Sequence, residues 1–429
     1  MKTEFHSPAS FNAVLTRRRA LQLSLAAAGS MLWPQWLWAQ TAADKDTHNL
    51  YLGKGVDEQL ARDWMSRWEK KMLADQKADR SCDKEMGEEL GWLVSPYLNG
   101  FYYGYRAAHD PKWIELLIDW SDAWTKRGVK EPDGAIGWPK DSGSNTAALP
   151  NLYTDNILGE AMALRPMVLM AAEIKKDPSL HAKYGAKMTG YVALAEQVFA
   201  KWDARGCWRD TAKGGVWVSP GFGIDQKSGG WTEGYARRTT DGFSIPANKQ
   251  NEVARWLIAL FDVTGKASYR ERAEKWWRTM KSNLRLREGK YYVWNYWDPA
   301  GPWDYNPNKS TKHWVGVHPN GGYYLIDLGG IVAAYEHGLV FDKQDIDRLV
   351  ATNRDFMWNH EVKNAKFRRI DGGLPDPRWL DEPGDLWTPL VFYDETLRKV
   401  FEANYEPASW RGLSATPWYV SGGDKHAAA

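Results

Sequence analysis

The stretch Leu257–Trp277 reads LIALFDVTGKASYRERAEKWW. An apolar run at helical spacing stops at Thr264-Gly265-Lys266, and a second helical run starts at once. Glycine there suits the left-handed residue that ends a helix. The pattern predicts two antiparallel helices joined by a tight turn. Three further stretches share this layout: YYGYRAAHDPKWIELLIDWSDAW (102–124), MVLMAAEIKKDPSLHAKYGAKM (167–188) and IVAAYEHGLVFDKQDIDRLVATNRDFMW (331–358). In two of them Asp-Pro supplies the break, with proline placed to open the next helix. The four starts lie 65 to 90 residues apart.

Between these hairpins the connections alternate, short and then long. The long ones are Arg127–Tyr153, Arg205–Ser244, Glu288–Gly322 and Asn359–Leu386. Antiparallel helices put successive connections at opposite ends. All long loops therefore fall on one face, at the N-terminal ends of the inner helices, where helix dipoles favour anions. The expected fold class is all-α: an (α/α) toroid with minor β structure in the loops. Five or six hairpins fit the count, with seven as the upper limit. A last helix is expected over about 388–404, followed by a Trp-bearing tail.

The chain has 429 residues, 43% hydrophobic and 26% charged, so it holds a sizeable core. A net charge of +2 provides no phosphate-neutralising excess, which argues against nucleic acid. Thr16-Arg17-Arg18-Arg19-Ala20-Leu21 precedes the apolar run Leu21–Trp38, and small residues follow at Ala39–Ala43. This has the form of a twin-arginine export signal over 1–43, leaving 44–429 as one catalytic toroid in the periplasm or outside the cell. No later run is long enough to span a membrane. Cys82 and Cys207 could pair in such a compartment, but their spacing carries no geometric evidence and the pairing stays open.

The stretch YYVWNYWDPAGPWDYNPNKSTKHWVGVHPNGGYY (291–324), which covers most of the third long loop, has four Trp, six Tyr and two His. A loop this long and aromatic reads as a binding surface. The whole chain carries 26 Trp, whose flat indoles match the C–H faces of sugar rings.

Helical hairpins, long Trp-rich loops on one face and an export signal resemble the (α/α) toroid polysaccharide lyases and glycoside hydrolases. Within that group the nearest likeness is to alginate and glucuronan lyases. The resemblance spans about Asp57–Asn404 and is architectural. It implies β-elimination on an acidic polysaccharide, and a monomer or weak dimer is expected. Such lyases neutralise the uronate carboxylate with Asn, Gln, Arg or His, and use Tyr or His as base and Tyr as acid.

On that basis the expected catalytic residues are His318, Tyr305, Tyr296, Asn248 and Arg238. His318 lies in HPNGGYY just before an inner helix, and His313 is the weaker choice. Tyr305 follows Asn248 by 57 positions, a separation similar to that in toroid lyases, which puts it ahead of Tyr296. Asn248 could equally be a helix N-cap. Arg237, Gln250, Trp138, Trp231, Trp297, Trp303, Trp314, Arg368 and Arg369 are the expected substrate-binding residues. Tyr323 and Tyr324 read as the start of a helix. The rival chemistry is hydrolysis by two carboxylates, drawn from Asp155, Glu233, Asp241, Glu252, Asp304 and Asp327. A non-catalytic glycan-binding protein is the third reading. No metal and no cofactor are expected, and a structural calcium in an Asp-bearing loop stays open.

Overall fold

A computed structural model describes residues 49–78, 80–84, 90–141, 152–154, 157–219, 223–225, 230–232, 242–375 and 386–424. The expected export signal lies outside them. Eleven α-helices are described: α1 Glu58–Ala78, α2 Ser95–Ala108, α3 Pro111–Thr125, α4 Ile157–Lys176, α5 Pro178–Ala204, α6 Ala247–Thr264, α7 Ala267–Asn283, α8 Gly322–Glu336, α9 Lys343–Ala351, α10 Glu395–Asn404 and α11 Gly412–Val420.

Local chemistry sets the short turns. Asp110 caps α3 by accepting from the N–H of Lys112, and Pro111 follows it. Asp177 does the same for α5 through Ser179 and Leu180, ahead of Pro178. Gly265, at φ +73°, ends α6. Asp342 and Asp345 form a capping box at α9.

Packing closes the helices into a ring. Helix α2 packs on α4, α4 on α6, α6 on α8, and α8 on the 3₁₀ turn Thr388–Leu390. Phe392, just after that turn, stacks on Tyr419 of α11 (5.5 Å, 17°), and α11 packs back on α2. Five helices and one irregular segment thus form an inner circle. Helices α1, α3, α5, α7, α9 and α10 precede these six inner segments in the chain, as outer members. The fold is an (α/α) toroid of six hairpins, which settles the open count.

Three details differ from expectation. Residues 388–404 are not one helix, because Val391–Asp394 separates the 3₁₀ turn from α10. Past α9, Thr352–Met357 is wound as a π turn. The tail contains α11, whose short length and internal Pro417 hide it in the sequence.

Tryptophan is prominent in the core. Trp68, Trp113, Trp120, Trp124, Trp202, Trp256 and Trp277 are all fully buried. Burying one large apolar side chain contributes on the order of 2 kcal/mol or more. Most of the Trp excess therefore serves packing. Cys82 and Cys207 are both buried free thiols, so no disulfide joins them.

The long loops hold short strands. Leu152–Thr154 pairs with Gly223–Asp225, which links the first long loop to the second. No described helix is long and apolar enough to cross a membrane.

Candidate functional site

Two anchors lock the third long loop to the start of α6. The carboxylate of Asp304 is fully buried and accepts from Ser244 N (2.7 Å), Ser244 Oγ (2.9 Å), Ala300 N (2.7 Å) and Gly301 N (3.3 Å). Trp297 Nε1 donates to the Ser244 carbonyl (2.7 Å), and Trp303 Nε1 to Ser244 Oγ (2.9 Å). The backbone continues the seam: Ala247 N–H donates to Tyr296 O, and Tyr296 N–H to Gly316 O.

This seam holds a cluster of rings at the long-loop face. The His318 ring lies 4.8 Å from Tyr296 and 4.6 Å from Tyr323. Tyr296 also meets Tyr323 (5.2 Å), His313 (5.9 Å) and Trp314 (6.0 Å). All five rings keep some exposure, and Trp314 is 45% exposed.

Backbone groups fix the protons of both imidazoles. His313 Nδ1 lies 3.0 Å from the Trp314 carbonyl, which can only accept, so Nδ1 carries the proton. Its Nε2 is then the basic nitrogen. His318 is the reverse: the N–H of Asn320 donates to Nδ1 at 3.0 Å, so the neutral ring carries its proton on Nε2. The His318 backbone N–H donates to Tyr324 Oη (2.8 Å), which fixes the ring from behind. Burial pushes the His313 pKa below its usual range, and the nearby Lys249 cation adds to this. The two neutral rings thus present opposite Nε2 atoms, a lone pair on His313 and an N–H on His318, and both rings touch Tyr296.

The fourth loop carries two of the expected arginines. Burial raises the Tyr324 hydroxyl pKa, and the charges of Asp371 and Arg369 also act on it. Arg369 binds Asp371 with Nε (3.1 Å) and Nη2 (2.7 Å). Arg368 is exposed on the same loop.

The other expected residues divide. Asn248 is 1% exposed at the start of α6, and its Oδ1 has no hydrogen-bond partner among the described residues. It is not the N-cap, which is Pro246. Gln250 is corrected from substrate contact to an internal clip, because its amide bonds Trp217 N, Trp217 O and Ile245 O. Trp138 is corrected likewise: it is buried and donates to the Trp124 carbonyl. Trp297 and Trp303 anchor the loop through their indole N–H groups. Tyr305 is 42% exposed in a hairpin where it pairs with Thr311, and joins no ring contact among the described residues. Arg237 and Arg238 lie outside the described residues, as does the side chain of Trp231.

Sequence reasoning undervalued His313 and Tyr323 and missed Lys249. All three stand within, or next to, stretches already singled out. Only the three-dimensional contacts bring them to the His318 cluster. Trp410, just before α11, is 46% exposed and was also passed over.

The described carboxylates of the hydrolytic reading are all engaged. Glu252 is buried against Arg255 (2.8 Å). Asp304 holds the loop anchor. Asp327 accepts from Asn251 Nδ2 (2.7 Å) and Trp294 Nε1 (2.9 Å). Asp155, Glu233 and Asp241 lie outside the described residues. Among the described residues no three His, Cys, Asp or Glu side chains gather as a metal site.

No family model matches the chain, and no curated protein matches it. Several solved structures align along most of its length. A D-mannose isomerase is 11% identical, covers 84% of this chain and 97% of its own, and scores a TM of 0.44. A polysaccharide lyase is 11% identical, with 85% and 96% covered and a TM-score of 0.43. A GH76 α-mannanase of Bacteroides thetaiotaomicron is 11% identical, with 84% and 95% covered and a TM-score of 0.45. At such identities none of them assigns a role to a residue of this chain.

Proposed function

We propose that this chain is an exported polysaccharide lyase that cleaves a uronic-acid-containing glycan of the alginate or glucuronan type by β-elimination. The observation that supports it is the pair of oppositely protonated imidazoles around Tyr296. Elimination at a uronate needs three things: a base for the C5 proton, a neutralised carboxylate, and an acid for the O4 leaving group. The His313 Nε2 lone pair takes the C5 proton. His318 Nε2–H and the Lys249 ammonium meet the carboxylate, where charge develops as the C5–H bond breaks. The electron pair moves into the C4–C5 bond, the C4–O4 bond breaks, and Tyr296 gives its phenolic proton to O4. Tyr323 steadies the His318 ring. Trp314 and Tyr305 offer exposed faces for flanking sugars, with Arg237, Arg238, Arg368 and Asn248 as further polar contacts.

Mass spectrometry of the products tests this reading. Elimination gives chains ending in an unsaturated uronate, one water lighter than a hydrolytic end. Such ends from alginate or glucuronan would support the lyase. Hydrated ends from every uronate polymer would replace it with a hydrolase.

A further inference from the structure

After α11 the chain turns into the centre of the ring. Gly422 and Gly423 take φ +87° and +82°, backbone that favours glycine. At Gly422 the tail crosses the segment near Gly53 so closely that a Cβ would lie 2.8 Å from the Gly53 Cα. The Gly53 N–H also donates to Val420 O (2.8 Å). Asp424 then lies among three inner helices. Tyr103 Oη donates to its Oδ1, Arg165 Nη2 stands 3.4 Å from Oδ1, and Arg255 Nη2 stands 3.2 Å from Oδ2. Arg106 Nη1 donates to the Gly423 carbonyl (2.6 Å).

We propose that Arg106, Arg165, Arg255 and Tyr103 form a carboxylate-binding cage at the centre of the toroid, and that Asp424 fills it as the chain's own ligand. The cage also acts as a positioning device. Arg165 reaches on to Asn99 Oδ1 (3.4 Å), and Arg255 to Glu252 Oε1 (2.8 Å). Asn248, Glu252 and Arg255 are spaced to share one face of α6, the face that leads from the cage to the long-loop end. Burial works against the Asp424 carboxylate, yet Arg165 and Arg255 outweigh it and hold its pKa well below the usual range. A recess on the opposite side is lined by Arg165, Arg255 and Asp424 together with the acidic Asp262 and Glu336.

Acetate rescue tests the cage. Asp424→Gly should lower Tm by about 5 °C or more, because it leaves buried cations without their partner. Sodium acetate should restore Tm in a saturable way that sodium chloride at equal ionic strength does not. Wild type should show no difference between the two salts. Equal effects of acetate and chloride on the variant would overturn the proposal. If Asp424→Gly does not fold, Asp424→Asn decides. It keeps the shape but loses the charge, and an unchanged Tm there would also overturn it. The positioning half rests on the lyase reading. Asp424→Gly should lower kcat about tenfold with KM moved less, and acetate should recover kcat. A lower Tm with unchanged kcat would remove the positioning role and leave the cage. Acetate rescue of Tm in a protein that eliminates no uronate would fail the lyase reading alone.

Discussion

His313 and His318 hold their protons on opposite nitrogens: Nδ1 of His313 donates to the Trp314 carbonyl, and Nδ1 of His318 accepts from the Asn320 N–H, each at 3.0 Å. One ring therefore offers a lone pair from Nε2 and the other a proton. Nitrogen-15 NMR with His313→Gln and His318→Gln for assignment should show one Nδ1–H and one Nε2–H tautomer at neutral pH. Two rings of the same tautomer would remove the division of roles.

Tyr296 and Tyr305 separate the same way. Tyr296 touches both imidazoles, whereas Tyr305 stands outside the cluster. Tyr296→Phe should lower kcat on a cleaved uronate polymer by about 10²–10⁴-fold, the usual range for a general acid. Tyr305→Phe should stay within a few-fold of wild type. A reversed order would return the acid role to Tyr305.

Lys249 should set the acid limb of the pH profile. Burial lowers the His313 pKa below 6.5, and the Lys249 cation lowers it further. The base then stays neutral to a lower pH than an ordinary histidine. Removing the cation in Lys249→Met should move the acid limb of kcat/KM toward higher pH, together with a weaker KM for the charged substrate. A limb that does not move would detach Lys249 from His313.

The shape of the toroid is legible because its signals are local. Asp110-Pro111, Asp177-Pro178 and Gly265 each fix a turn from within three residues, and the alternation of loop lengths follows. The site was only half legible. Trp297 and Trp303 look like sugar platforms until Ser244, more than fifty positions away, accepts their N–H groups. Gln250 looks like a neutraliser until Trp217 claims its amide. The tautomer of His318 is illegible for a similar reason, since it depends on where the Asn320 amide falls.

Asp327 gives a stability test independent of substrate. Burial raises its pKa from 3.8 to about 7, against the opposing bonds from Trp294 and Asn251. Its folded pKa thus lies above the unfolded one. The stability it contributes is complete below about pH 4 and is lost as pH rises through 7, up to about 4 kcal/mol. Asp327→Asn should flatten the fall of Tm between pH 5 and 8. An equally steep fall in the variant would place the titrating group elsewhere.

The central claim rests on elimination at the His313–Tyr296–His318 cluster. Ultraviolet absorbance of the new C4=C5 bond, followed in parallel on alginate, glucuronan, pectate and glycosaminoglycans, tests it most directly. At least one polymer should gain absorbance with wild type, and the gain should vanish in folded His313→Ala and His318→Ala variants. New reducing ends without absorbance on every polymer, or full absorbance in both variants, would contradict it.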